Sequence, residues 1–192
     1  HVTLTIGGRD FKGWQEIRVT RGVERMPSDF DLIVTERYAE AGLEGVTAGA
    51  ACVVKLGDDL VLTGYVDRYA PAFAPGMHRV VVSGRSKCAD LVDSAAIFDG
   101  DNSQLAAVSA HALIEKLAAP FGIGVSALDS SGPQIQQFNA LLTETPFEVI
   151  DRVARYSQLL VYDDPEGNLL LAQVGTRQHA SGFEQGVNVE AA

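Results

Sequence analysis

The stretch from Val61 to Asp93 constrains the fold most, because the hydrophobic period changes inside it. Leu60 to Tyr69 is a β-rich run, and a connection through Pro71 and Pro75 follows it. Met77 to Ser83 is a second run and carries the triplet Val80, Val81, Val82. The chain then breaks at Gly84 and enters a short helix-like piece, Ser86 to Ser94. Ser86 stands where an N-cap belongs, and Asp90 lies near the positive end of the helix. Everything before this stretch reads as strands, and everything after it mixes helices and strands. The stretch is the last hairpin of one unit and the entry to the next, which places a boundary near residues 85–95.

The first unit is read from alternation and turns. Thr3 to Ile6 ends at the turn signal Gly7-Gly8. Ile17, Val19 and Val23 alternate with Glu16, Arg18 and Thr20, the period of a half-buried strand. Pro27-Ser28-Asp29 breaks that strand. Phe30, Leu32 and Val34 then start another, which puts Ile33 on its polar side, where it would face a partner. Residues 39–50 are rich in Gly and Ala and read as a loop. Cys52, Val54 and Leu56 make the next strand, and Gly57-Asp58-Asp59 is a hairpin signal. About six short strands joined by turns point to a small antiparallel β-barrel or sandwich over residues 1–90.

The second unit, residues 91–175, changes period. Leu113, Leu117 and Phe121, with Ala110 and Ile114, form an apolar helical stripe. Asn102 or Ser103 would cap its start, and Pro120 and Gly122 mark its end. Ile123 to Leu128 is short and β-like, and residues 130–133 are a loop. Thr145-Pro146-Phe147-Glu148 is a capping box with Pro at the first helical position. That helix runs to about Ser157, with Val149, Ile150, Val153 and Ala154 inward. Leu159 to Tyr162 and Leu169 to Val174 form a hairpin around residues 163–168. The expected class is therefore mainly β with α+β: a small barrel followed by an α+β domain. Residues 176–192 read as a polar tail or the start of a further domain, because Val187-Asn188-Val189 looks like a strand without its pair. A fragment of a longer polypeptide is the expectation.

Composition narrows the function. The 192 residues carry a formal charge of −10. That argues against a non-specific grip on nucleic acid, which rests on Lys and Arg neutralising phosphates. No run approaches the roughly 18 apolar residues that a membrane helix needs, and the start lacks the pattern of a signal peptide. Cys52 and Cys88 form no CxxC pair. The four histidines are scattered, so no zinc set is formed. The doublets Asp58/Asp59 and Asp163/Asp164 fall in hairpin turns, where Asp is favoured for backbone reasons. Motifs for acyl transfer, phosphate binding, metalloproteolysis and dinucleotide binding are all missing. The reading is of a non-enzyme that needs no cofactor.

Five residues are candidates for an interface. Trp14 follows Gly13, as an interface anchor or as a lid on the barrel core. Arg18, Arg21 and Arg37 lie on or beside the first strands. There they serve a solvated face or pair with acids of a neighbouring subunit. Ile33 is the fifth.

Three blocks then carry a resemblance. GWQEIRVTRGVERMPSDFDLIVTER, GDDLVLTGYVDRYAP and HRVVVSGRSKCADLVDSAA occur in that order, and FEVIDRVARYSQLLVYDDPEGNLLLA extends the match. Together they resemble the Mu-like baseplate hub proteins of contractile phage tails. The resemblance implies a homotrimeric ring with two barrels per subunit, matching a sixfold tail tube to a threefold spike. Its partners would be further copies of itself and the tube and spike proteins. It would sit in the virion baseplate after assembly in the host cytoplasm. Specific nucleic-acid binding and a membrane anchor are not expected, and a negative lumen would let DNA pass. One barrel is legible here, and a second would come after residue 175. Other readings are the hub part of a type VI secretion-like spike, a carbohydrate- or peptide-binding β module, and a cell-wall hydrolase.

Overall fold

A computed structural model describes residues 1–23, 25–35, 45–96, 104–139, 141, 143–173 and 175. Its first seven strands form one antiparallel sheet. They are β1 (Val2–Ile6), β2 (Arg9–Phe11), β3 (Glu16–Gly22), β4 (Arg25–Val34), β5 (Ala51–Leu56), β6 (Asp59–Ala74) and β7 (Met77–Ser86). In space their order is β2-β1-β5-β6-β7-β4-β3. Alternation sends Phe30, Leu32 and Val34 of β4 to one face, together with Leu4, Val54, Leu62, Val66, Val80 and Val82 from the strands beside it. Among the described residues only these strands and their adjoining loops supply that core, so the sheet coils over its own apolar face. Bulges in the β5–β6 and β6–β7 ladders sharpen the coil. At the second bulge Gly64 and Gly84 let backbones touch. A Cβ on Gly84 would lie 2.3 Å from the Tyr65 carbonyl oxygen and 2.6 Å from the Phe30 ring.

The expectation of a mainly β unit followed by α+β holds. The barrel is not closed, however. The edge strands β2 and β3 do not pair with each other. β2 has only three residues, too few for the full-length ladder that would close a sheet into a barrel. Pro27 does not end a strand either. β4 runs straight through it, because Pro27 falls in an irregular part of the β3–β4 ladder and before the β4–β7 ladder begins at Asp29. Its missing N–H therefore costs no ladder bond there. The connection expected through Pro71 and Pro75 shrinks to Pro75-Gly76, and Pro71 lies inside β6.

Beyond Ser86 a 3-10 turn, Lys87–Ala89, leads into α1 (Asp90–Asp93). Ser86 holds the cap position, but its side chain makes no capping bond. The second unit contains β8 (Gln104–Ser109), α2 (Ala110–Ala118), β9 (Val125–Ala127) and β10 (Gln134–Asn139). It continues with α3 (Pro146–Tyr156), β11 (Leu160–Asp163) and β12 (Leu169–Ala172). The first long helix thus starts later than the stripe implied. Residues 104–109 are a strand, and Ser109 caps α2 by accepting from the Ala112 N–H at 3.1 Å. Asn102 and Ser103, the expected caps, lie outside the described residues. Gly122 ends the following turn in the left-handed region at φ 66°. The Thr145 capping box is present in full on α3. β12 pairs antiparallel with β11 and parallel with β9, and β8 pairs with β10. Val149, Ile150, Val153, Leu113, Ile114 and Leu117 fill a second core.

The two units are clasped. Met26 of β4 and Cys88 of the 3-10 turn belong to the second core. Asp163, only 2% exposed, accepts from the Ser28 N–H at 2.9 Å and from the Ser28 hydroxyl at 2.7 Å. Arg21 donates to the Asp163 carbonyl at 3.0 Å. Cys88 donates to the Gly167 carbonyl at 3.6 Å. Arg85 of β7 bridges Asp67, at the bulge, and Asp93, on α1.

Candidate interaction surface

The outward face of the sheet is set by register. Glu16, Ile33, Val81 and Ala70 lie across β3, β4, β7 and β6 in one row, and Arg18, Asp31, Ser83 and Arg68 in the next. The face thus has an apolar line beside a charged one. Ile33 is on the outward side, as the alternation required, yet it is only 9% exposed. It floors a depression of about 340 Å³ rimmed by Glu16, Arg18, Asp31 and Arg79. Long charged side chains cover apolar surface with their stems in this way.

The candidate residues part company here. Arg18 is exposed and is held by Asp31, with Nε at 2.9 Å, and Asp29 lies 3.5 Å away. Its hydrogen bond to Asp31, more than simple charge attraction, raises its already high pKa. Arg18 and Ile33 are therefore brought together on one face. Arg21 is turned to the clasp, where it serves Asp163. Trp14 is half-buried and packs against the first core with Val19 and Tyr69. Arg37 lies outside the described residues.

Sequence reasoning missed the arm that continues this face. The β4–β7 ladder stops at Val34↔Val80, whereas β6 and β7 go on pairing to Ala74↔Met77. Residues 71–79 are therefore a two-stranded ribbon projecting past the sheet. Phe73, 70% exposed, stacks on His78 with centroids 4.4 Å apart. Arg79 stands at the root of the ribbon, with a loose 3.7 Å pair to Glu16. Arg68 is exposed below it and has no ion-pair partner among the described residues. Two prolines in an Ala-rich run hide the ribbon. Its signal is Phe73 and His78 flanking the turn residues Pro75-Gly76.

A second concave surface lies on the α+β unit, between β10 and α3. It holds about 470 Å³ and is lined by residues 134–138 with Arg152, Val153 and Tyr156. The Arg152 guanidinium sits 4.9 Å over the Phe138 ring and pairs with Glu144 at 2.8 Å. Tyr156 is 77% exposed. Charge is divided unevenly along the chain. Residues 1–90 hold eleven Lys and Arg against twelve Asp and Glu, whereas residues 91–175 hold three against eleven. Among the described residues no three His, Cys, Asp or Glu side chains gather as a metal site. No described helix is long and apolar enough to cross a membrane. What the surface offers is contact: an apolar line, a charged line beside it, and an exposed aromatic on an arm.

Such a sheet, clasped to a small α+β unit, is shared with the tail protein of a prophage. The chain superposes on the 43 kDa tail protein of prophage MuSo2 from Shewanella oneidensis with a TM-score of 0.87, 32% identity, and coverage of 99% of this chain and 59% of that one. A Neisseria meningitidis tail protein shares the fold, with a TM-score of 0.74, 20% identity, and coverage of 88% and 50%. An Escherichia coli component of the type VI secretion system shares it more distantly, with a TM-score of 0.59, 14% identity, and coverage of 88% and 48%. Residues 1–86 match the N-terminal domain of the Mu phage baseplate assembly protein GpP-like family, and residues 88–173 match the second domain of the baseplate hub protein gp44-like family. The baseplate hub protein gp44 of Escherichia phage Mu is 29% identical over 178 residues, covering 91% of this chain and 46% of that protein. The chain belongs to the Mu-like baseplate hub proteins of phage tails. It spans about half the length of the relatives it matches.

Proposed function

We propose that this chain is the hub-forming part of a baseplate, that it assembles as a trimer, and that the trimer joins the tail tube to the central spike. The observation that carries the reading is the match to two successive domains of the baseplate proteins, in order, across residues 1–173. In this reading residues 1–90 and 91–175 are the two units, and the chain is a structural component of the virion assembled in the host cytoplasm. Arg18 and Ile33, together on the outward face, are its ring contacts. Trp14 supports that face from the core side, and Arg37 extends the basic series. Arginine around an apolar floor suits docking to a protein surface. DNA would pass the ring without sticking, because the acidic excess removes the non-specific binding term.

The fold shared with the type VI component supports a second reading, the hub part of a secretion spike. A glycan-binding module is less well supported, because the exposed aromatics Phe73 and Tyr156 lie on different units and form no common platform. The test is the solution mass by light scattering of this chain and of a longer one that extends past residue 192 in the same reading frame. A trimer of either supports the hub. Monomers of both up to high concentration would remove it.

A further inference from the structure

We propose that the β6–β7 arm is a head-to-tail connector: Phe73 of one copy seats in the β10–α3 groove of the next. This rests on the hub reading and names the contact that builds its ring. The first argument is geometric. β4 and β7 meet their own α+β unit at one end, through Met26, Ser28 and Ser86. The arm leaves the sheet at the other end. The ten residues of β7 span about 30 Å at the rise of an antiparallel strand. The arm therefore points away from the α+β unit of its own chain. An exposed knob at one end of a molecule and a hole at the other make a heterologous contact, the kind that generates rings when the rotation closes.

The second argument is charge. From Arg68 to Arg79 the chain has two arginines, a histidine and no carboxylate. Arg68 lacks an ion-pair partner among the described residues, and Arg79 has only a loose one. The α+β unit holds eleven carboxylates against three Lys and Arg. A basic arm and an acidic unit at opposite ends of one chain attract between copies, and this selects a second copy as the occupant. The third argument is fit. The groove exposes Tyr156 beside β10, while Phe138 lies buried in its wall under Arg152. An incoming aromatic finds Tyr156 there as a stacking partner, of the kind that anchors interfaces.

The experiment uses whichever of the two chain lengths self-associates. Ala74→Cys and Gln136→Cys chains, distinguished by mass, are mixed under mild oxidation, and light scattering follows Phe73→Asp and Arg68→Glu chains in parallel. The expected result is a mixed disulfide between the two cysteine chains, at least tenfold weaker association of Phe73→Asp, and weaker association of Arg68→Glu at low salt. Cys52 and Cys88 are buried and do not compete. Unchanged association of Phe73→Asp without a mixed disulfide would overturn the connector and leave the hub standing. Absence of self-association at both lengths would overturn both.

Discussion

At the scale of the residue, the two buried thiols make the sharpest solution prediction. Burial, with a smaller push from Asp67, raises the Cys52 pKa from 9.0 to about 12. Burial, with smaller pushes from Asp163 and Asp164, raises Cys88 as well. A thiol raised in the fold stays protonated there while the unfolded chain ionises. Its contribution is fully present below about pH 9 and is lost as pH rises toward 12, at no more than about 1.4 kcal/mol per pH unit for each thiol. Urea midpoints should fall across that window, and they should fall less in Cys52→Ala. The same thiols should ignore an aromatic disulfide reagent at pH 8 until urea is added. A second prediction concerns Gly84. Its replacement by Ala drives a methyl into the Tyr65 carbonyl and the Phe30 ring. The expected loss is about 1–3 kcal/mol, the usual range for overpacking, whereas Ser83→Ala, one residue away, should be close to neutral. Urea unfolding of the pair checks this.

At the scale of the element, α3 is the most legible part of the sequence. Thr145, Pro146 and Glu148 each satisfy a backbone need at the helix start. Thr145→Ala should cost about 1 kcal/mol, the typical value of an N-cap, read from the thermal midpoint. Elements are obscured where two periods coexist. Leu105, Ala106 and Val108 form a short apolar run that suits a strand or a helix equally, and only Ser109 decides where α2 begins. β10 is hidden because Ile135 and Phe138 are three apart in a Gln-rich segment, a spacing that no strand template matches. Pro27 and Pro71 look like breaks because a local rule cannot tell that a strand lacks a neighbour at that point. The outward position of Ile33 is legible from alternation alone. Its burial among Glu16, Arg18 and Arg79 is not, because those side chains come from other strands.

At the scale of the whole molecule, what escapes the sequence is long-range. Whether the sheet closes depends on whether β2 meets β3, which no local pattern encodes. The Ser28 and Arg21 contacts of the clasp join residues more than a hundred positions apart. Asp163→Ala should leave the buried Ser28 N–H and hydroxyl without partners, at a cost of about 1–3 kcal/mol. Both units should melt together in the parent protein. In the variant the second unit should lose protection first, as followed by hydrogen exchange. The doublet Asp163/Asp164 shows the limit of local reasoning. Its turn role is real, since Asp164 accepts from the Asn168 N–H at 2.7 Å. Yet Asp163, beside it, spends both carboxylate oxygens on the other unit. The clasp also bears on modular engineering. A chimera that joins the first unit of one hub to the second unit of another, with its crossover at residue 87, would inherit one half of a lock and a stranger's key. Grafts should tolerate that junction only when Met26, Ser28 and Arg21 travel with the donor of Asp163.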